Sequence, residues 1–213
     1  MKAIKFFFHL ITLIAIVFFG YSYFEKREVF SMLKKIKATN EEITIGGEFS
    51  LKNQDNQLIK SSDFNGKYML VLFGFSSCKS ICPMELGIAS EALARLKEDA
   101  EKLQIIFITI DPKRDTVDKL KDYHQQFDHR IQMLTGSEEE LSEVASRYKV
   151  YINDDGEDID HSGIMYLIGP DGKYVTHFTP DLHSNENQVD NLLTFIKNTL
   201  EGEFNSSHKL YVL

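Results

Sequence analysis

Apolar residues gather in blocks along this chain, and the blocks predict alternating strands and helices over 43–201. The runs 67–75 (KYMLVLFGF) and 104–110 (QIIFITI) are apolar almost throughout, as in central strands buried on both faces of a sheet. Between them, 83–100 places apolar residues at helical spacing. Turn signals around 53–57 predict a short hairpin ahead of these elements.

The second half of the chain continues this alternation. Thr116 is placed to cap a helix, and Ser137 with Glu140 has the spacing of a capping box at the start of another. The turn signal Gly-Pro-Asp-Gly at 169–172 joins two apolar runs and predicts a hairpin. The other predicted elements are a short strand, an acidic loop and a last amphipathic helix, at 131–134, 153–160 and 185–200.

The order of these elements indicates the fold class. Alternating strands and helices predict an α/β domain with a mostly parallel sheet. A terminal antiparallel hairpin and helix, with two cysteines after the first central strand, are typical of the thioredoxin-like arrangement. We therefore expect a thioredoxin-like central mixed sheet flanked by helices.

The amino terminus carries a separate apolar segment. The run 6–24 is close to the length of roughly 20 residues that spans a bilayer. We interpret the sequence at 20–23 (GYSY) as too bulky for a signal-peptide cleavage site, so we expect an uncleaved transmembrane helix. The predicted organisation is a membrane anchor at 1–24, a charged stalk at 25–42, a thioredoxin-like domain at 43–201 and a loosely held tail at 202–213.

Charge limits the partners of the protein. The net charge of −8 leaves no basic stripe for nucleic-acid phosphates, so we exclude a nucleic-acid partner. Two lysines precede the apolar segment and five basic residues follow it within 25–42. Read by the positive-inside rule, this balance would place the C-terminal domain in the cytoplasm.

The only two cysteines, Cys78 and Cys82, stand at the predicted junction between the first central strand and a helix. Two thiols four positions apart can share a metal ion or oxidise to a disulfide. A helix amino terminus stabilises a thiolate, which lowers the pKa of a cysteine placed there. Because the pair lies in a serine-rich turn and not on an apolar stripe, we expect it to be reactive and not inert.

Two sulfurs leave a metal site incomplete, and His161 is the candidate for the third ligand. It closes the acidic loop and stands two residues before an apolar strand. In a thioredoxin-like fold, the segment that enters this strand runs beside the cysteine loop. Two thiolates and one imidazole form a soft, three-coordinate set that suits Cu(I), and can hold Cu(II) with a weak further ligand. Zinc in a structural site would normally require a fourth firm ligand.

Three motifs together resemble those of the SCO/SenC proteins. They are the cysteine motif at 78–83, the run Asp-Pro-Lys-Arg-Asp-Thr at 111–116 and the segment DHSGIMYLIGPDG at 160–172. The resemblance covers about 45–200, and the motifs occur in the family's order.

The resemblance implies a membrane-anchored domain that binds one copper ion through Cys78, Cys82 and His161. Such proteins help to assemble the dinuclear copper centre of cytochrome c oxidase subunit II, by delivering copper from a donor or by preparing the subunit's thiols. It also implies a single span in the inner membrane, with the domain facing the bacterial periplasm or the mitochondrial intermembrane space. We follow it against the charge count, since copper insertion takes place outside the cytoplasm. We expect a metallochaperone more than a turnover enzyme.

Some residues near the motifs need separate interpretation. Family members often have Pro-Asp after the first cysteine, where this chain has Lys79 and Ser80, and a lysine would stabilise neighbouring thiolates. Asp111 and Asp115 match the family's acidic motif, and they either form a turn and a helix cap or support the metal site. Met84 stands at the helix start, where it could approach copper, but we expect its role to be packing.

Two other functions would use the same thiols. A thiol–disulfide reductase would use Cys78 and Cys82 to reduce a partner's cysteines without a physiological metal, and would not need His161. A peroxidase would need an activating Arg and Thr beside the attacking cysteine, which Ser76 and Lys79 do not match. The leading prediction is a copper-binding assembly protein.

Overall fold

The computed structural model of the chain describes residues 44–154, 159–161, 163–181, 183–184 and 186–202, with the backbone alone at 153–154 and 159–161. The predicted anchor and stalk, and all but the first residue of the predicted tail, lie outside these residues. No helix within the described ranges is long and apolar enough to cross a bilayer. From Ile45 onward the described residues belong to one compact unit.

The described residues form nine strands, which the pattern of apolar runs largely predicts. They are β1 (Ser50–Asn53), β2 (Leu58–Lys60), β3 (Tyr68–Gly74), β4 (Leu103–Thr109), β5 (Gln132–Thr135), β6 (Ile152–Asp154), β7 (Ile159–His161), β8 (Met165–Ile168) and β9 (Tyr174–Phe178). Seven of them make one sheet in the order β2-β1-β5-β4-β3-β8-β9, and β6 pairs with β7 separately.

The sheet is less parallel than the alternation of elements predicts. Among the described strands of this sheet, only the pairs β3–β4 and β4–β5 are parallel, and the other neighbours are antiparallel. The cause is that an antiparallel hairpin extends the sheet on each side of its three parallel strands. In the β1–β2 hairpin, β1 pairs with β5, and in the β8–β9 hairpin, β8 pairs with β3. The expected thioredoxin-like mixed sheet is confirmed.

Four α-helices of the described chain cover the two faces of the sheet. They are α1 (Ile81–Arg95), α2 (Val117–His124), α3 (Glu138–Arg147) and α4 (Gln188–Leu200). Leu70 and Leu72 of β3 pack with the buried sides of α1, α2 and α4, whereas Val71 and Phe73 pack with α3. Successive side chains of a strand point to opposite faces, so a strand covered on both faces needs an uninterrupted apolar run.

Two predicted boundaries are wrong. The helix α1 ends at Arg95 and not near residue 100, because Lys97 has a left-handed backbone (φ 52°) and a short 3₁₀ helix replaces the α-helix there. The acidic segment 153–160 was predicted as a loop, but both of its ends are strands, since β6 and β7 pair antiparallel.

The predicted capping box at the start of α3 is confirmed. The Ser137 hydroxyl accepts the Glu140 N–H (3.2 Å), and the Glu140 carboxylate accepts the Ser137 N–H (2.8 Å). Ser137→Ala should lower the free energy of unfolding by about 1 kcal/mol in urea denaturation, because a helix N–H loses its acceptor. Ser142→Ala, at an exposed position inside the same helix, should change it little. Equal losses in the two variants would contradict a capping role.

Candidate metal centre

The two cysteines lie in the short connection between β3 and α1. The N–H of Cys78 donates to the carbonyl of Phe75 (3.2 Å), which closes a tight turn after the strand. Because α1 begins at Ile81, Cys82 lies in the first helical turn, where it is buried, whereas Cys78 is partly exposed. Both thiols are reduced, and their side chains are in hydrogen-bonding contact. The two sulfurs therefore converge.

Gly74, the last residue of β3, permits this convergence. A Cβ at this position would stand 2.7 Å from the Cys82 sulfur and 2.9 Å from Cε2 of Phe107 on β4. Both separations are too short for non-bonded atoms, so a side chain at position 74 would displace the sulfur or the ring. The absence of a side chain lets the sulfur lie against the end of the central strand.

Asp115 holds the start of the cysteine loop. Its fully buried carboxylate accepts hydrogen bonds from the Ser76 N–H (2.9 Å), the Ser76 hydroxyl (2.5 Å) and the Thr109 hydroxyl (2.6 Å). Ser76 stands two residues before Cys78, and the cap of α2 is Thr116. Of the two roles left open for Asp115, the structure therefore favours support of the cysteine loop over helix capping.

Asp111 acts on the same loop through a different set of contacts. Its N–H donates to the hydroxyl of Thr109 (3.0 Å), and its carboxylate pairs with Arg114. The Arg114 guanidinium lies over the ring of Phe75, 5.5 Å from its centroid. Because Phe75 begins the cysteine loop, Asp111 positions a cation against it.

Burial reverses the acid–base behaviour predicted for Cys82. Loss of hydration raises the pKa of its thiol well above the ordinary value; a hydrogen bond with the Phe75 backbone opposes this rise, and the charge of Cys78 adds to it. The prediction of a lowered pKa is therefore wrong for this cysteine. The sequence also predicted that the cysteine pair lies away from any apolar stripe. This prediction is wrong for Cys82, which lies on the buried side of α1.

The described part of His161 is its backbone, which lies in β7 and pairs with Ile152. Its role as a ligand stays a prediction. Two residues later, a Cβ on Gly163 would stand 2.4 Å from Cδ1 of Ile81 and 2.8 Å from Oε1 of Glu85. The segment that enters β8 therefore runs beside the cysteine helix, as expected. Among the side chains that the structure describes, no group of three or more His, Cys, Asp or Glu is placed to hold a metal ion.

Sequence analysis missed two buried polar side chains near the cysteines. Glu85 on α1 is 3% exposed and Tyr123 on α2 is 7% exposed. Oε1 of Glu85 and the Tyr123 hydroxyl have no hydrogen-bond partner among the described residues. Burial raises the pKa of Glu85 to about 8. The sequence did contain a signal for Glu85, because it places this carboxylate three positions after Cys82, on the buried side of a predicted helix.

The outer side of the first turn of α1 is exposed. Met84, for which we expected a packing role, is 45% exposed. Lys79 and Ser80, the two residues that depart from the family's usual Pro-Asp, are exposed as well. Because Cys82 occupies the buried side of the first turn of α1, other positions in that turn face the solvent, and Met84 is one of them.

The fold and site define a thioredoxin-like domain with a reduced dithiol at a strand-to-helix junction, and comparison with known proteins identifies the family. The family model described as SCO1/SenC matches residues 37–197. The SCO2-like protein of Rickettsia prowazekii is 37% identical over 153 residues, which are 68% of this chain and 75% of that protein. The chain belongs to the SCO1/SenC family, as its three motifs indicated.

Solved structures agree with this assignment. The chain is similar to copper-bound ScoI of Arabidopsis thaliana, with a TM-score of 0.67 and 34% identity over 74% of this chain and 99% of that one. It is also similar to BsSco, described as having a disulfide switch and as a member of the Sco family of cytochrome c oxidase assembly proteins. That structure has a TM-score of 0.61 and 25% identity over 73% of this chain and 92% of its own.

Proposed function

We propose that this protein binds one copper ion as cargo and assists the assembly of cytochrome c oxidase. The observation that carries the proposal is the contact between two reduced sulfurs, Cys78 and Cys82, at the end of the central strand of an SCO1/SenC domain. The copper bound in the related ScoI structure supports the choice of metal. The description of BsSco supports the oxidase as the target.

The ligands in this proposal are Cys78, Cys82 and His161. Thiolate sulfurs are soft donors that select Cu(I), and an imidazole completes a three-coordinate set. The two sulfurs fit this role because they are reduced and already in contact. The backbone at Gly163 lies against α1, which supports a position for His161 close to the cysteine loop.

Unequal burial of the two thiols suits a cargo that has to be released. Cys82 is buried, whereas Cys78 is partly exposed and its neighbours Lys79 and Ser80 are exposed. A ligand from a partner protein can therefore approach from the Cys78 side while Cys82 keeps its position. The partners in this proposal are subunit II of cytochrome c oxidase and the protein that donates copper.

We further infer that the apolar run 6–24 anchors the protein in the inner membrane by a single span. The domain would then face the periplasm or the intermembrane space. The length and composition of the run support the anchor. The orientation follows from the proposed target, because copper is inserted into the oxidase outside the cytoplasm.

Copper loading tests the proposal. The full-length reduced protein, titrated with Cu(I) without oxygen, should hold one tight copper per chain. Cys78→Ser, Cys82→Ser and His161→Ala should each weaken binding by about tenfold or more, because each removes a ligand. His177→Ala, a change at an exposed histidine, is the matched control and should bind like the wild type. Wild-type protein without tight copper would contradict the proposal.

A thiol–disulfide reductase is the second candidate, and the same sulfur contact favours it. A thiolate of the pair would attack a partner's disulfide and form a mixed disulfide, which the other cysteine resolves. The partner gains two electrons and is released as a dithiol, while Cys78 and Cys82 become joined. This exchange does not need His161. If wild-type protein exchanges disulfides but holds no tight copper, the reductase replaces the copper proposal.

A further inference from the structure

The hydroxyl of Tyr123 is a buried polar group that has no role in the copper site proposed above. The side chain is 7% exposed, and its oxygen has no hydrogen-bond partner among the described residues. A buried hydroxyl without a partner costs free energy relative to a phenyl ring of the same shape. Such a group near a functional site calls for an explanation.

A continuous set of contacts leads from Tyr123 to the sulfur of Cys82. The ring of Tyr123 packs against the ring of Phe107, with 6.2 Å between their centroids. Phe107 and the Cys82 sulfur meet at Gly74, where a Cβ would stand 2.9 Å and 2.7 Å from them. Phe127 packs edge-on against the tyrosine ring at 5.0 Å. The ring of Tyr123 therefore packs against both Phe127 and Phe107, and Phe107 lies beside the Cys82 sulfur.

The ionisable groups that act on this hydroxyl are acidic. Burial contributes most to raising the pKa of Tyr123, and the charges of Cys82, Cys78 and Asp115 raise it further, in that order. A tyrosine hydroxyl is a hydrogen-bond donor, so it can donate to a thiolate.

We propose that Tyr123 is a positioning residue of the copper site, whose hydroxyl donates a hydrogen bond to the Cys82 sulfur when that sulfur binds copper as a thiolate. The inference rests on the proposed copper function. Hydrogen bonds to charged acceptors are about twice as strong as those between neutral groups. The bond from Tyr123 therefore stabilises the copper-bound protein, in which the sulfur is a thiolate, more than the metal-free protein. It orients the buried sulfur while Cys78 remains accessible to a partner.

Tyr123→Phe tests this inference because it removes the hydroxyl and keeps the ring. In full-length reduced protein, competition with a Cu(I) chelator should show an affinity about tenfold lower than that of the wild type. In the Cu(II)-loaded protein, the sulfur-to-copper charge-transfer band should move to longer wavelength. The urea midpoint of the metal-free protein should stay the same or rise, since the hydroxyl has no described partner in that state.

Tyr148→Phe is the matched control. Tyr148 is fully buried, its hydroxyl has no partner among the described residues, and it packs with Phe73 and Tyr166 on the other face of the sheet. It should leave copper affinity and the band unchanged. Wild-type affinity and spectrum in Tyr123→Phe, or equal changes in Tyr148→Phe, would overturn the inference. Failure of the copper function itself is distinguishable, because the wild-type protein would then hold no tight copper.

Discussion

Asp115→Ala is expected to lower the free energy of unfolding by about 3–5 kcal/mol. The carboxylate is fully buried and accepts two hydrogen bonds from Ser76 and one from Thr109. Truncation leaves these donors without an acceptor inside the protein, at a cost of about 1–3 kcal/mol for each group that stays unsatisfied. Urea unfolding of the metal-free protein measures the loss.

The same substitution should also loosen the cysteine loop, because Ser76 stands two residues before Cys78. We expect a faster reaction of Cys78 with an alkylating reagent under native conditions. Asp122→Ala changes an exposed carboxylate on α2, the helix that follows Asp115, and should alter stability by no more than about 0.5 kcal/mol. Similar stability and alkylation rates in the two variants would show that Asp115 does not hold the loop.

Glu85→Gln is expected to stabilise the metal-free protein, and the gain should grow with pH. Burial raises the pKa of Glu85 from 4.5 to about 8. Between these values the unfolded chain releases the proton and the folded protein keeps it, so folded-state stability falls as pH rises through this window. The penalty is below about 1 kcal/mol at pH 5 and about 3 kcal/mol at pH 7. Glutamine keeps the shape of the protonated acid and has no such penalty.

Urea unfolding of wild type and Glu85→Gln between pH 5 and pH 8 measures this difference. Glu101→Gln, at an exposed position in the 3₁₀ helix after α1, is the control and should follow the wild type at every pH. A constant difference between wild type and Glu85→Gln across this range would show that Glu85 is ionised in the folded protein.

Elements whose signals are local could be predicted from the sequence. β3 and β4 are apolar runs because both faces of each strand are covered, and this pattern is visible without a structure. The cap at Thr116, the capping box at Ser137 and the β8–β9 hairpin use residues within a few positions of each other. The cysteine pair was equally visible, since its four-residue spacing lies within one loop.

Features that depend on distant contacts could not be predicted. Ser76 and Asp115 are 39 positions apart, and only the parallel pairing of β3 with β4 brings them together. The direction of the pKa shift of Cys82 was missed for a similar reason, because the degree of burial in the first turn of α1 is set by the strands beneath it. The close approach at Gly74 depends on Phe107 from the neighbouring strand.

Helix boundaries were missed for a different physical reason. The apolar stripe of α1 continues past Arg95 to Leu96 and Ala100, both of which are buried. A 3₁₀ helix buries these residues as well as an α-helix would, so the pattern does not distinguish the two. The lysine side chain at position 97 gives no indication in the sequence that its backbone is left-handed.

The ligand set of the copper ion is the central claim of this account, and X-ray absorption at the copper edge tests it most directly. Full-length reduced protein loaded with one Cu(I) per chain should show two sulfur neighbours and one nitrogen neighbour per copper. His161→Ala should lose the nitrogen and keep both sulfurs. A copper without sulfur neighbours, or a nitrogen that persists in His161→Ala, would contradict the site formed by Cys78, Cys82 and His161.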